Sequence, residues 1–230
     1  MKTAKRIFVY ILGFFVLAVG INVSKNAGLG ISPVSSVPYA MELVWGIEMG
    51  IGTYIANIGI MIIQFLILRK NYKAKYILQI VPLLFIGIFI TYTSTNYLLF
   101  CLPIPSNYII QLLYCLISVV LIGIGVSMFI VADYIPLPPE GLAKTLAEIS
   151  NGKIKFGNAK IGVDVSLVAI SAILSVVFLG KLVSVREGTV IAAVLVGKVV
   201  NIIFKHFRQK MLAWFEAGEP AEKPTTSNHE

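Results

Sequence analysis

Six apolar stretches, at about residues 7–23, 52–68, 76–102, 108–132, 161–179 and 188–204, dominate the chain. A helix crosses the hydrocarbon core of a bilayer with roughly 17–25 mostly apolar residues, and each stretch fits that length or slightly exceeds it. Lipid offers no hydrogen bonds, so segments of this kind satisfy their backbone internally, as helices. With 57% of the 230 residues hydrophobic and 13% charged, little polar surface is left to coat a water-soluble domain. The expected fold is all-α: a polytopic membrane protein of about six transmembrane helices. The first stretch follows Lys2, Lys5 and Arg6 in the manner of a secretory signal, but the repeat described below favours a retained span.

Basic residues set the orientation, because loops rich in Lys and Arg stay in the cytoplasm. Fifteen of the 19 fall before the first stretch, between the second and third, between the fourth and fifth, or after the sixth. Only Lys25, Lys181 and Arg186 fall on the opposite side, and Lys198 lies inside the sixth stretch. Both termini are therefore expected in the cytoplasm, with the chain in the inner (cytoplasmic) membrane. The net charge of +8 is divided among loops rather than gathered on one surface, so nucleic acid is not an expected partner. Cys101 and Cys115 fall near the outer ends of the third and fourth spans, where apolar packing and a disulfide are both open to them.

Sliding the sequence by 105 positions places Gly20 on Gly125, Ala27 on Ala132, Pro33 on Pro138 and Gly52 on Gly157, and the apolar stretches superpose three on three. Residues 1–105 and 106–210 then form two three-helix repeats, followed by a disordered cytoplasmic tail at 211–230. Three spans per repeat force the second into the membrane upside down. Inverted repeats recur in secondary transporters, with the substrate site between the halves; a duplicated scaffold without transport is the alternative.

Each repeat holds a short helix after its first span. In the first, Ser32-Pro33 and Ser35-Ser36 precede Pro38, and a serine cap followed by proline predicts a helix from Val37 toward Gly46. In the second, Pro138-Pro139-Glu140 predicts a helix from Pro139 to Ser150. Both are too short to span, so they lie at the interface or dip into the protein as re-entrant segments. Dipping would aim free N–H groups and a positive dipole end at the interior.

These runs carry a family resemblance. Leu29-Gly30-Ile31-Ser32-Pro33, with Ser35, Ser36 and Pro38 behind it, Asp133-Tyr134-Ile135-Pro136-Leu137-Pro138-Pro139-Glu140-Gly141, and Glu187-Gly188-Thr189 leading to Gly197-Lys198 together resemble the bacterial YczE/YyaS/YitT-type integral membrane proteins. The resemblance covers residues 8–207. It implies a bacterial cytoplasmic-membrane protein, often with an acidic residue where this chain has Glu140, and no particular substrate.

Polar groups inside spans are the site candidates, since a charge at bilayer depth costs at least about 2.5–3.5 kcal/mol and faces a partner or a wet cavity. Lys198, with Asn201 one turn on, attracts an anion, extends to the headgroups, or pairs with Asp133 or Asp164. Asp133 and Asp164 are coupling candidates or solvated carboxylates. Asn22, Lys25, Ser32, Ser35, Ser36, Asn57 and Glu140 complete the candidate substrate-binding set, with helix packing as the alternative role for each amide or hydroxyl.

No nucleotide loop, zinc motif or nucleophile elbow occurs, so no enzyme, cofactor or metal is expected. The expected function is a secondary carrier or facilitator of a small polar metabolite, anions among them. The alternatives are an accessory membrane protein that binds a partner, or the substrate-binding subunit of an ATP-driven complex. Expected partners are the lipid bilayer, an unidentified small molecule and, as one option, a second copy of the chain.

Overall fold

The computed structural model describes residues 2–72, 74–94, 102–103, 105–151 and 153–216. Eight α-helices occur among them: α1 (Lys2–Ala27), α2 (Pro33–Trp45), α3 (Met49–Leu68), α4 (Ile80–Tyr92), α5 (Tyr108–Ala132), α6 (Pro138–Ile149), α7 (Phe156–Leu179) and α8 (Glu187–Glu216). The described residues contain no strand. α1, α3, α5 and α7 are long and apolar enough to cross a membrane, and α8 makes a fifth if its two parts, bent by 52°, count as one span.

The third apolar stretch differs from its expected extent of 76–102. A 3₁₀ segment, Ala74–Gln79, leads into α4, and the chain leaves the helix at Thr93, whose hydroxyl bonds back to the Phe89 carbonyl at 2.6 Å. The run Thr91-Tyr92-Thr93-Ser94 supplies hydroxyls that compete with the helical ladder. The two short helices form where expected, with one shift in register. α2 starts at Pro33 behind Ser32 rather than at Val37, and Pro38 lies inside it. It ends at Gly46 in the left-handed conformation (φ 68°), which glycine adopts without strain. α6 begins at Pro138 and ends within a residue of the expected place.

The tail also departs from expectation in part. Residues 211–216 continue α8, and Phe215 is buried against Val9 and Val131. Arg6 stacks over the Phe215 ring and Lys5 donates to the Trp214 carbonyl, so aromatic side chains dock this turn on α1. The remaining tail residues and Cys101 lie outside the described residues; Cys115 is a buried free thiol.

α1 and α5 cross at the centre. A Cβ at Gly125 would stand 2.6 Å from the Leu17 amide nitrogen, and one at Gly13 would stand 2.9 Å from that of Phe129, so the two backbones meet where side chains are missing. Phe14, Leu17, Ile21, Ile122 and Phe129 fill the seam on either side. Around this pair, α4 lies against α1 and α8 against α5; α2 rests on α3 and α6 on α7; and the short helices cross over, α2 onto α7 and α6 onto α3. The α3–α4 pairing is close: Tyr54 packs on Gly87, and Gly50 leaves no room for a Cβ beside Thr91. α7 and α8 have no comparable contact along their described residues.

Large apolar side chains such as Ile58, Ile62, Leu66, Val165, Ile173 and Val177 point outward from α3 and α7. In water this surface would aggregate; in lipid it is the ordinary exterior. Polar groups turn inward instead: Gln64 donates to Thr145 at 2.8 Å, joining α3 to α6, and Ser171, Ser175 and Ser184 form a buried hydroxyl cluster.

Candidate binding cavity

Between the helices lies a cavity of about 530 Å³, to which all eight α-helices contribute. Leu17, Ile86, Ile122, Val126, Phe129 and Val196 give it a largely apolar wall. Its polar lining comes from Ser32, Ser35, Thr53, Asn57, Glu140, Lys160, Asp164 and Asn201. A volume within the range of small-molecule sites, with a few polar groups on an apolar wall, is the usual form of a ligand pocket.

Its charges form one cluster. Lys160 Nζ lies 2.6 Å from Asp164 Oδ1 and 3.3 Å from Glu140 Oε1. α7 supplies Lys160 and Asp164 at a spacing of four, which stacks them on one helix face. α6 brings Glu140 in its first turn, where a carboxylate complements the positive dipole end.

Both short helices begin at this cavity, since Ser32, Pro33, Val34 and Ser35 of the α2 start and Leu137 and Glu140 of the α6 start line it. Their donor capacity is small. Pro33, Pro138 and Pro139 have no N–H. The Ser35 amide donates to the Ser32 carbonyl at 3.0 Å and the Gly141 amide to that of Leu137 at 2.9 Å. In the first turns this leaves the amides of Val34 and Glu140, whose intrahelical acceptors would lie before the helix. The Ser32 hydroxyl reaches the Ser35 hydroxyl at 3.3 Å rather than capping the backbone.

Of the residues singled out from sequence, Ser32, Ser35, Asn57, Glu140, Asp164 and Asn201 meet at the cavity. Asn57 is 5% exposed; its amide donates to the Thr53 carbonyl and its Oδ1 has no partner. The others lie apart from the cavity lining. Asn22 ties α1 to α4, donating to the Ile90 carbonyl at 2.7 Å and to Thr93 at 2.9 Å. Lys25 pairs with Glu42 at 2.6 Å. Ser36 donates to the Pro33 carbonyl at 2.7 Å. Asp133 is exposed and ends α5 in the left-handed conformation (φ 55°). Lys198 is exposed and forms no ion pair among the described residues; the partner of Asp164 is Lys160.

Lys160 is the site residue the sequence reading placed elsewhere, among the basic loop residues. The available signal was its spacing of four from Asp164 at the head of an apolar helix, a pattern that marks an ion pair rather than a free loop charge.

Lys160→Met should lower stability by about 2 kcal/mol, because two carboxylates then face each other in a low-dielectric pocket with no cation between them. The three side chains are 21–27% exposed, so residual solvation and proton uptake hold the loss below that of a fully buried pair. Lys198→Met should change stability by less than about 0.5 kcal/mol. Thermal unfolding of the two variants in detergent checks the contrast, and equal losses would contradict the assignment of the cluster.

The chain is 25% identical over 210 residues to "Uncharacterized protein YyaS" of Bacillus subtilis (strain 168), covering 87% of this chain and 95% of the relative. It is 28% identical over 148 residues to "Uncharacterized membrane protein YczE" of the same organism, covering 64% of this chain and 65% of the relative. No solved structure matches it significantly. Several helices fit to cross a membrane and a membrane-protein relative make this a multi-pass membrane protein. Matched from residue 4 to residue 205, it belongs to DUF6198, described as a family of unknown function.

Proposed function

We propose that this protein is a secondary carrier of the bacterial cytoplasmic membrane for a small molecule with an apolar body and a polar head. Its two halves, residues 1–105 and 106–210, sit head to foot in the bilayer with three spans each, and both termini are cytoplasmic. The substrate occupies the cavity between them, and one half rocks against the other to expose it to either side.

The observation that carries the reading is one cavity shared by all eight helices, with the starts of both short helices on its wall. The pairing of elements supports it: α1–α4, α2–α3 and α2–α7 have counterparts in α5–α8, α6–α7 and α6–α3. Among the pairings without a counterpart, which include the slighter α1–α8 and α2–α8 contacts, the extensive α3–α4 pairing is the one that alternating access makes unequal. In a carrier open to one side, the mirror pair α7–α8 is apart while α3–α4 is closed, and the reverse state exchanges the two. Gly52 lies 3.2 Å by its Cβ position from the Pro38 carbonyl, whereas its counterpart Gly157 faces open space.

Uptake into proteoliposomes holding the purified protein tests the reading, across a panel of amines, amino acids, organic acids and inorganic ions. Saturable, counterflow-competent uptake of at least one class is expected; no flux above protein-free vesicles for any of them would overturn it.

A further inference from the structure

The charge and hydrogen-bond balance of the cavity point to the head group it accepts. We infer that the ligand carries a cationic, donor-bearing head, a primary or secondary ammonium, on an apolar body. This rests on the cavity being a binding site, and does not require that the ligand be moved across the membrane.

Among the described residues, three ionisable side chains line the cavity: Glu140, Asp164 and Lys160. Two carboxylates against one ammonium leave a formal charge of −1 on an otherwise largely apolar wall. The positive charge is already engaged, since Lys160 contacts both Asp164 Oδ1 and Glu140 Oε1. The second Glu140 oxygen, Oε2, is buried with no donor.

A second observation is independent of charge. Asn57, 5% exposed and on the cavity wall, gives one N–H of its side-chain amide to the Thr53 carbonyl and leaves Oδ1 unpaired. Buried polar atoms without partners are uncommon, and both orphans here are acceptors. What these two buried atoms lack is a donor, and what the charge balance lacks is a cation. An ammonium supplies both; a carboxylate or phosphate brings more acceptors to a wall that already has spare ones. The two helix starts do not reverse this balance, because three of their first-turn residues are proline, the Ser35 and Gly141 amides already have acceptors, and Glu140 occupies the α6 end. The rest of the ligand meets Leu17, Ile86, Ile122, Phe129 and Val196, so it is apolar.

The test uses three molecules of nearly one shape: 4-phenylbutylammonium, 4-phenylbutyrate and 4-phenylbutan-1-ol. Affinities are taken from thermal stabilisation of the purified protein in phosphatidylcholine nanodiscs at neutral pH. The ammonium should bind about tenfold or more tightly than the other two. Glu140→Gln with Asp164→Asn leaves Lys160 alone, and the preference should turn to 4-phenylbutyrate. Should that double variant fail to fold, Asp164→Asn alone cancels the net charge and should bring ammonium and alcohol within about threefold of each other.

Equal affinities for all three in the native protein, tighter binding of 4-phenylbutyrate, no binding of any, or an ammonium preference unchanged in Asp164→Asn would each overturn the inference. Its failure is separable from that of the carrier reading. Ammonium binding without flux removes transport and keeps the ligand class, whereas flux of an anion without ammonium binding does the opposite.

Discussion

Gly125→Leu should abolish the folded protein, costing more than about 3 kcal/mol and removing the monodisperse species from detergent extracts. A Cβ at Gly125 would stand 2.6 Å from the Leu17 nitrogen, 2.7 Å from the Gly13 oxygen and 2.8 Å from the Leu17 Cα. All three are backbone atoms of a packed helix, so no rotamer change relieves the clash. α1 and α5 would have to separate, and with them the seam of Phe14, Leu17, Ile122 and Phe129 on which the outer helices rest. Between membrane helices this close packing is a main source of stability, because lipid tails are as apolar as the side chains they would displace. Gly59→Leu is the matched control: nothing lies within 4 Å of its Cβ position, and its stability should stay within about 0.5 kcal/mol of the native protein. Size-exclusion profiles and thermal unfolding of the two variants check the contrast.

Gly157→Leu should leave the fold intact and, on the proposed carrier mechanism, freeze the protein in one state. Nothing lies within 4 Å of its Cβ position, and the residue lines the same cavity as Gly197, Val200 and Asn201 of α8. On the proposed mechanism α7 and α8 must close together when α3 and α4 part, and a leucine in that gap blocks the closure. The readout needs no substrate. In a background with Cys101 and Cys115 replaced, single cysteines at Asn201, on the gap, and Thr91, on the closed α3–α4 face, are labelled with a water-soluble thiol reagent. The native protein should label at both positions as its states exchange. Gly157→Leu should keep labelling at Asn201→Cys and slow it at Thr91→Cys by about tenfold or more, corresponding to a bias of at least about 1.4 kcal/mol between the states. Equal labelling of both positions with and without the leucine would count against alternating access.

Much of this architecture is legible in the sequence because lipid imposes strong, one-dimensional rules. Continuous apolar runs declare the long helices. Proline at the first positions and glycine past the end declare the short ones: α6 begins at Pro138-Pro139, and α2 ends at Gly46. The start of α2 was misplaced because the segment contains the same signature twice, Ser32-Pro33 and then Ser36 before Pro38. A helix can carry the second proline inside it when the lost bond falls near its first turns, so the earlier signature prevails. The helical end of the tail, at 211–216, escaped notice because a single turn holding Met211, Leu212, Trp214 and Phe215 gains its stability from docking on Val9 and Val131, a tertiary contact with no local signal.

The site was legible in kind and not in detail. Ser32, Ser35, Asn57, Glu140, Asp164 and Asn201 are polar groups in or beside apolar segments, and the cavity collects them from five helices and their caps. Sequence could not rank the lysines. Lys198, deeper in its apolar stretch, is exposed, whereas Lys160, near the head of its helix, holds the ion cluster. Which face of α7 or α8 looks inward depends on the helices each one packs against, and the apolar residues all round these spans erase the usual amphipathic cue. Asn22 and Lys25 show the same limit: one bonds to α4 and the other to Glu42 of α2.

Thiol accessibility in intact cells tests the head-to-foot arrangement most directly. With both native cysteines replaced, single cysteines at Lys70, Lys155 and Lys181, all exposed positions, are probed with a membrane-impermeant maleimide. Lys181→Cys should react from outside, while Lys70→Cys and Lys155→Cys should react only after the membrane is permeabilised. Labelling of Lys70→Cys and Lys155→Cys from opposite sides would mean that the two halves are not inverted relative to each other, and the shared cavity would then not be the crossing point of a carrier.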